Sequence, residues 1–352
     1  MHPLDKRLEN LPAAIWTEIA RIEELKGRWD ASAVSSPQGL GRLKRSVLVT
    51  STGASTRIEG ARLSDQDVEN LMRGIAIEKF ADRDAQEVKG YFELLQNVFD
   101  AWEALGLNES TIKHLHQELL KYVAKDRFPR GQYKKTANKV QMIDAPGKAV
   151  GILFDTTPAF LTPSAMRDLV EWTQNALRRN THHPLLTIAN FLVEFLNIHP
   201  FQDGNGRLSR ILMNLLLLQA GYSFMPYVSH EKLIEENKSD YYLALRTSQR
   251  TFKTKHADLT PWLAFFLKII RLQAEMALDL MAGEQWAQTL SAKQLAVWQY
   301  LQTRPEATPL EIARATNVAR PTVSQALEKL LRLKRIERVG EGRSTRYRVR
   351  KE

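Results

Sequence analysis

Cysteine is absent from the 352 residues of this chain. That excludes a disulfide framework and a thiolate metal site. Long apolar runs are also missing: none approaches the roughly 20 residues that a membrane helix needs. Residues 1–12 carry charges of both signs and lack the apolar block of a signal peptide. A cytoplasmic protein with no membrane partner is the simplest expectation. What remains is ordinary for a soluble globular protein, with 43% hydrophobic and 26% charged residues. The length suits two or three domains. Acid is scarce where the chain ends. Residues 320–352 hold eleven Lys or Arg against four Glu, a local +7 within a net charge of +10. Such an excess points to a polyanionic partner or a solvated basic face.

The most informative stretch is His199-Pro200-Phe201-Gln202-Asp203-Gly204-Asn205-Gly206-Arg207-Leu208-Ser209-Arg210. It lies between two apolar segments, 185–198 and 208–219, both patterned as helices. A simple connector needs a turn residue and a cap, and turn chemistry explains only the Gly and Asn choices. The other residues suit polyphosphate chemistry. Gly204 and Gly206 let backbone N–H groups converge on an anion, at the start of a helix whose dipole favours one. Arg207 and Arg210 share a helical face and can grip further phosphate oxygens. Asp203 is a hard oxygen ligand suited to Mg²⁺. Asn205 can donate to a phosphate oxygen. His199 can be neutral near pH 7, as a base that removes a hydroxyl proton must be.

This stretch resembles the Fic-family motif His-Pro-Phe-x-(Asp/Glu)-Gly-Asn-Gly-Arg-x-x-Arg at every fixed position, and the resemblance spans about residues 40–270. It implies a mainly α fold: an all-helical core with a small β-hairpin flap. The implied activity is transfer of AMP from ATP to a Ser, Thr or Tyr hydroxyl of a protein, the chain itself included. His199 is then the base and Asp203 the Mg²⁺ ligand. Arg207 holds the β-phosphate and Arg210 the γ-phosphate. Doc-like kinases of the superfamily carry Lys where Gly206 stands, so Gly206 favours nucleotidyl transfer.

Ser55-Thr56-Arg57-Ile58-Glu59-Gly60 resembles the inhibitory (Ser/Thr)-x-x-x-Glu-(Gly/Asn) motif of one branch of that family. Ser55 and Glu59 project from one helical face, and Gly60 suits a left-handed helix end. The resemblance implies a salt bridge from Glu59 to Arg210 that keeps the γ-phosphate of ATP from seating. Two other readings stay open. Glu59 could position water for removal of AMP from a modified protein. Alternatively, the core only senses nucleotide for a transcription regulator.

The chain divides into an N-terminal helical region at 1–62, a catalytic core at 63–282, a linker at 283–290 and a C-terminal domain at 291–352. Helices are expected at Leu11–Trp29, from near Leu40 to Glu59, and at Leu63–Gly74, Asp82–Leu105 and Asn108–Lys125. Further helices are expected at Thr162–Arg179 with Thr162 as its cap, at Glu231–Thr247 and at Asp258–Met281 closed by Gly283. Ala31–Gly41 reads as a loop. Val140–Ile143 and Val150–Phe154 form a hairpin around 144–147. In the family this flap holds the target as an added strand. Family members often have Arg in the position of Lys134. Asn237 and Tyr242 are candidates for the nucleotide pocket by the same resemblance. The last sixty residues resemble a winged helix-turn-helix (α+β) domain. Arg320, Thr322, Ser324 and Gln325 would start its recognition helix and Arg343 would sit on the wing, with DNA as the partner. A homodimer is left open.

Overall fold

The structure, a computed structural model, describes residues 1–33, 37–74, 82–123, 129–136, 138–143, 149–254, 256–288, 290–340 and 345–350. Two compact units divide the chain, Met1–Asp279 and Leu280–Glu352. Helices dominate the first. In order they are α1 (Pro3–Lys6), α2 (Ala13–Ala33), α3 (Pro37–Ile58), α4 (Asp65–Met72), α5 (Asp82–Ala101) and α6 (Glu109–Leu119). The strands β1 (Lys139–Ile143) and β2 (Ala149–Asp155) follow, then α7 (Thr162–Arg179), α8 (Pro184–Ile198) and α9 (Asn205–Gln219). The unit continues with α10 (His230–Glu236), α11 (Lys238–Gln249) and the first part of α12 (Thr260–Gln288), whose residues from Leu280 on belong to the second unit. Among the described residues no helix is long and apolar enough to cross a membrane.

Helices α8 and α9 form the centre. Each spans fifteen residues, of which α8 buries twelve and α9 thirteen. A helix buried on nearly every side belongs in a core, not on a surface. They pack on each other, with α7 against α8 and α5 against α9, while α3 packs against α5 and α10. The loop 199–204 is therefore held between the two most buried helices of the unit. The β1–β2 hairpin is antiparallel, pairs Lys139 with Asp155, and carries register shifts at 140/141 and 142/143. Its expected turn, Asp144–Gly147, lies outside the described residues.

Several boundaries differ from the sequence pattern. The Ala31–Gly41 loop is largely helical: α2 reaches Ala33 and α3 begins at Pro37, where a proline suits the first turn. Thr162 does not cap α7. A 3₁₀ turn over Ala159–Leu161 runs straight into the helix, and the Thr162 hydroxyl donates to the Pro158 carbonyl instead. The single helix expected over Glu231–Thr247 is two, α10 and α11. Asn237 separates them, its side-chain amide donating to the Leu233 carbonyl, a local bond that competes with helix continuation. Gly283 does not close α12, which continues to Gln288 and takes up most of the expected linker. An interior glycine costs a helix only about 1 kcal/mol.

The second unit contains α13 (Ala292–Gln302), α14 (Pro309–Thr316), α15 (Arg320–Arg332) and an antiparallel pair, β3 (Ile336–Val339) with β4 (Arg346–Val349). Thr308 and Glu311 form a reciprocal capping box at the start of α14. Asn317, left-handed at φ 52°, turns the chain from α14 into α15. Its own core includes Val297, Leu301, Ile312, Val323, Leu327 and Ile336.

Candidate active site

The site is built where α8 ends. Pro200 cannot continue a helix, and His199 closes α8 in a left-handed conformation, φ 53° and ψ 61°, with its N–H donating to the Phe195 carbonyl. Phe201 is fully buried and stacks on His116 of α6, ring centroids 3.8 Å apart. The His116 imidazole accepts from the Gly131 N–H at 2.9 Å on Nδ1. Its Nε2 therefore carries the proton and donates to the Asp203 carbonyl at 3.0 Å. Burial pushes the pKa of His116 down to about 4, in keeping with that neutral tautomer. Gly204 then caps α9 with φ 78°. A Cβ there would strain the backbone and press on Leu119 at 3.4 Å.

Asn205 is placed differently from expectation. Its side-chain carbonyl accepts from the Phe201 N–H at 2.9 Å and its NH₂ donates to the Phe201 carbonyl at 2.7 Å. At 2% exposure the amide clamps the loop, with one N–H of its NH₂ taken by that carbonyl. A helix leaves the N–H groups of its first turn without a helical acceptor, while that of the capping Gly204 donates to Asp203 Oδ1 at 2.7 Å.

The cationic groups are paired with carboxylates. Arg207 meets Glu87 of α5 at 2.8 Å and Asp203 at 3.3 Å. Arg83 bridges the same two carboxylates, at 2.9 Å to Glu87 and 3.2 Å to Asp203. Arg210 is 2% exposed. Its Nε donates to the Ser55 hydroxyl at 2.7 Å, and its Nη2 donates to the Ser55 carbonyl at 2.9 Å and to Glu59 Oε1 at 2.8 Å. Its Nη1 is buried without a hydrogen-bond partner among the described residues.

Helix α3 delivers Ser55 and Glu59 together. It ends in a Schellman arrangement, with the Ala61 N–H donating to the Thr56 carbonyl and the Gly60 N–H to that of Arg57, and Gly60 at φ 105°. This turn aims Glu59 at the start of α9. A Cβ built on Gly206 would lie 2.2 Å from Glu59 Oε1, so the carboxylate occupies space that only glycine leaves open. Burial alone would raise the Glu59 pKa, but the charge and hydrogen bond of Arg210 outweigh it and hold the group below its ordinary value. Glu59 is thus a protein-borne anion in the cradle that the sequence marks for phosphate. Beside it opens a cavity of about 360 Å³ lined by His199, Asp203, Gly206, Arg207, Glu59 and Glu87, among others.

His199 lies at the edge of this cavity. Burial lowers its pKa to about 4, and the Lys134 ammonium adds to the effect, against the raising influence of Glu59, Asp203 and the Leu196 carbonyl. The imidazole is neutral across physiological pH.

For a metal, the donor set is sparse. Among the described residues no group of three or more His, Cys, Asp or Glu side chains converges. Mg²⁺ is usually held by one or two carboxylates together with substrate phosphates. Asp203, 25% exposed, fits as one such ligand only alongside a bound polyphosphate.

Asn237 is not brought to the cradle. Its amide caps α10, and its carbonyl oxygen accepts from Lys268 at 3.1 Å. Tyr242 is half-buried and feels Glu59. Its buried neighbour Tyr241, 5.1 Å away ring to ring, has its hydroxyl beside Arg210. Sequence reasoning also missed Glu87 and His116. Glu87 shows only as the common i,i+4 partner of Arg83, and His116 borders the apolar stripe of α6 with nothing to mark its target. In the second unit Arg320, Ser324 and Gln325 are exposed and Thr322 is half-buried, all within the first two turns of α15. Arg343 lies outside the described residues.

Residues 106–217, from just before α6 to near the end of α9, match the sequence profile described as the Fic/DOC family. The chain is 26% identical over 292 residues to "Protein adenylyltransferase Fic" of Drosophila melanogaster, covering 82% of this chain and 52% of that protein. The protein of the same name from Drosophila grimshawi is 29% identical over 178 residues, 51% of this chain and 31% of the relative. The chain spans about half the length, or less, of these curated relatives. A crystal structure of a Fic family protein from Desulfovibrio desulfuricans G20 superposes with a TM-score of 0.65 at 25% identity, covering 97% of this chain and 98% of that one. Fic-1 from C. elegans gives 0.62 at 19% identity, over 77% of this chain and 74% of that one, a likeness of fold. The motif loop, the helices that hold it and these likenesses agree that residues 106–217 are a Fic-type domain.

Proposed function

We propose that the protein transfers AMP from ATP to a hydroxyl of a protein, and that Glu59 inhibits the reaction from within the same chain. One observation carries this reading: the Glu59 carboxylate is seated over Gly206 and against Arg210, where a phosphate would be held. When Glu59 withdraws, Arg210 gains one free Nη2 N–H beside its unpartnered Nη1 and takes the γ-phosphate. Arg207 takes the β-phosphate. The backbone N–H groups of Asn205 and Gly206 stabilise charge at the transferring phosphorus. Asp203 would hold Mg²⁺, which neutralises phosphate charge when bound. His199, neutral, takes the proton of the acceptor hydroxyl. The acceptor oxygen forms its bond to the α-phosphorus and the bond to pyrophosphate breaks. The relatives named protein adenylyltransferase support this class of reaction.

Removal of AMP is the second reading. Glu59 is about one-third exposed and electrostatically coupled to His199, so it could hold a water against an AMP ester. The test uses wild type, Glu59→Gly and His199→Ala with Mg²⁺ and ATP labelled at the α-phosphate, followed by intact mass. Transfer under restraint gives about one AMP per chain in Glu59→Gly, little in wild type and none in His199→Ala. Equal or lower labelling in Glu59→Gly would overturn the inhibitory role. Loss of AMP release from a labelled chain in that variant would favour the second reading.

For the C-terminal unit we infer a winged helix-turn-helix that binds DNA through the start of α15. The exposure of Arg320, Ser324 and Gln325 and the local +7 charge support it.

A further inference from the structure

Lys134 stands outside the motif and outside any role assigned so far. It is 3% exposed. An ammonium has three N–H donors, and all three are spent: on Asn138 Oδ1 at 2.8 Å, Thr156 Oγ1 at 2.9 Å and the Ile198 carbonyl at 2.9 Å. Among the described residues no carboxylate pairs with it. Burying an ammonium without a counter-charge is costly, and the burial lowers its pKa to about 8. A packing role alone would be met more cheaply by a neutral side chain.

The three acceptors are placed to matter. Asn138 immediately precedes β1 and Thr156 immediately follows β2. The Thr156 hydroxyl also bonds Asn138, so the two ends of the hairpin close on each other. Ile198 is the last residue of α8, directly before His199. The same segment is tied to the loop at three more points. The Lys134 N–H donates to the Pro200 carbonyl at 2.8 Å, and the Asn138 NH₂ donates to the carbonyls of Phe201 at 2.8 Å and His199 at 3.3 Å. The hairpin base and the His199 loop are one hydrogen-bonded unit with the Lys134 ammonium at its centre.

We propose that Lys134 is a positioning residue: it pins the base of the β1–β2 hairpin to the His199 loop, so that an acceptor strand added to the hairpin meets His199 in register. The kinetic part rests on the transfer reaction proposed above; the pin itself does not. Without the pin, ATP still binds, because Arg207 and Arg210, which grip its phosphates in that reading, lie on α9. The acceptor hydroxyl loses its alignment, and misalignment of about 1 Å can cost of the order of a hundredfold in rate.

Three variants test this: Lys134→Met, Lys134→Arg and Thr156→Val, the last removing one acceptor of the pin at nearly constant volume should Lys134→Met fail to fold. Amide hydrogen exchange over 139–143 and 149–155 is followed in the otherwise wild-type chain. Lys134→Met and Thr156→Val speed it about tenfold or more, while Lys134→Arg, which keeps a cationic donor, stays near wild type. In the Glu59→Gly background the maximal rate of self-modification falls about tenfold or more in Lys134→Met, with the KM for ATP within about twofold. Unchanged hairpin exchange in Lys134→Met and Thr156→Val overturns the pin. A rise in KM for ATP matching the fall in rate overturns the positioning role. If Glu59→Gly with Lys134 intact transfers nothing, the reaction assigned above fails, and the exchange data still decide the pin.

Discussion

A methyl group on Gly206 would lie 2.2 Å from Oε1 of Glu59, closer than atoms of folded chains approach. The Glu59 carboxylate is the end of a flexible side chain and can retreat, so the substitution folds. It also fills the seat that a phosphate needs. Gly206→Ala therefore separates the two states of the site. It loosens the contact between Glu59 and Arg210, yet self-modification stays about tenfold below that of Glu59→Gly, and adding it to Glu59→Gly costs a similar factor, about 1.4 kcal/mol. Labelling with α-labelled ATP and the dissociation constant for ATP check this. Full activity in Glu59→Gly with Gly206→Ala would show that the phosphate does not use this seat. The neighbouring Asn205 marks a limit of reading by residue type. An amide among glycines suggests a phosphate donor, but burial gave both of its polar atoms to Phe201, and only three-dimensional closure of the loop shows that.

Helix α3 carries Glu59, and its hold on the core is separate from the Glu59 contact itself. Arg57, the penultimate residue of the helix, donates from Nε to Glu235 of α10 at 2.6 Å and from Nη2 at 3.1 Å, and its Nη1 meets Asp65 at 2.9 Å and the Leu63 carbonyl at 2.8 Å. Farther back, the Ser51 hydroxyl donates to Ser229 at 2.8 Å. These bonds fix where Glu59 points. Arg57→Ala should free the helix end with Glu59 still present. Self-modification is expected between wild type and Glu59→Gly, with a loss of about 2 kcal/mol in stability. Thermal unfolding and labelling on the same sample read both; labelling equal to wild type would show that α3 is held by its packing alone. The helices themselves were legible, since apolar spacing and caps mark them: Ser64 opens α4 with a full capping box, and the αL turn at Gly60 closes α3. The break at Asn237 was not, because a side chain that bonds back to Leu233 leaves the apolar period intact. Glu87 and His116 stayed hidden for a related reason. Their partners lie on α9 and its loop, far along the chain, and no local pattern encodes a distant contact.

At the scale of the whole chain, the candidate site and the densest basic segment fall in different units, the first in Met1–Asp279 and the second in Leu280–Glu352. The sequence pattern places a linker from Gly283, whereas α12 runs through that glycine to Gln288. A cut at 283 would sever a helix. A cut after Gln288 keeps α12 whole and removes α13 to α15 with their own core, which includes Leu290. The truncated chain with Glu59→Gly should keep its self-modification rate within about threefold, a change below 1 kcal/mol in the barrier, and lose DNA binding. For the full chain, binding to a DNA duplex should weaken with salt, log K falling linearly with log salt concentration. Arg320 is exposed on the first turn of α15, where a side chain reaches a phosphate or a base edge. If it neutralises one phosphate, Arg320→Ala flattens that line by about 0.9. An unchanged slope in Arg320→Ala would move the contact off the start of α15, and salt-sensitive binding by the truncated chain would move it to the other unit.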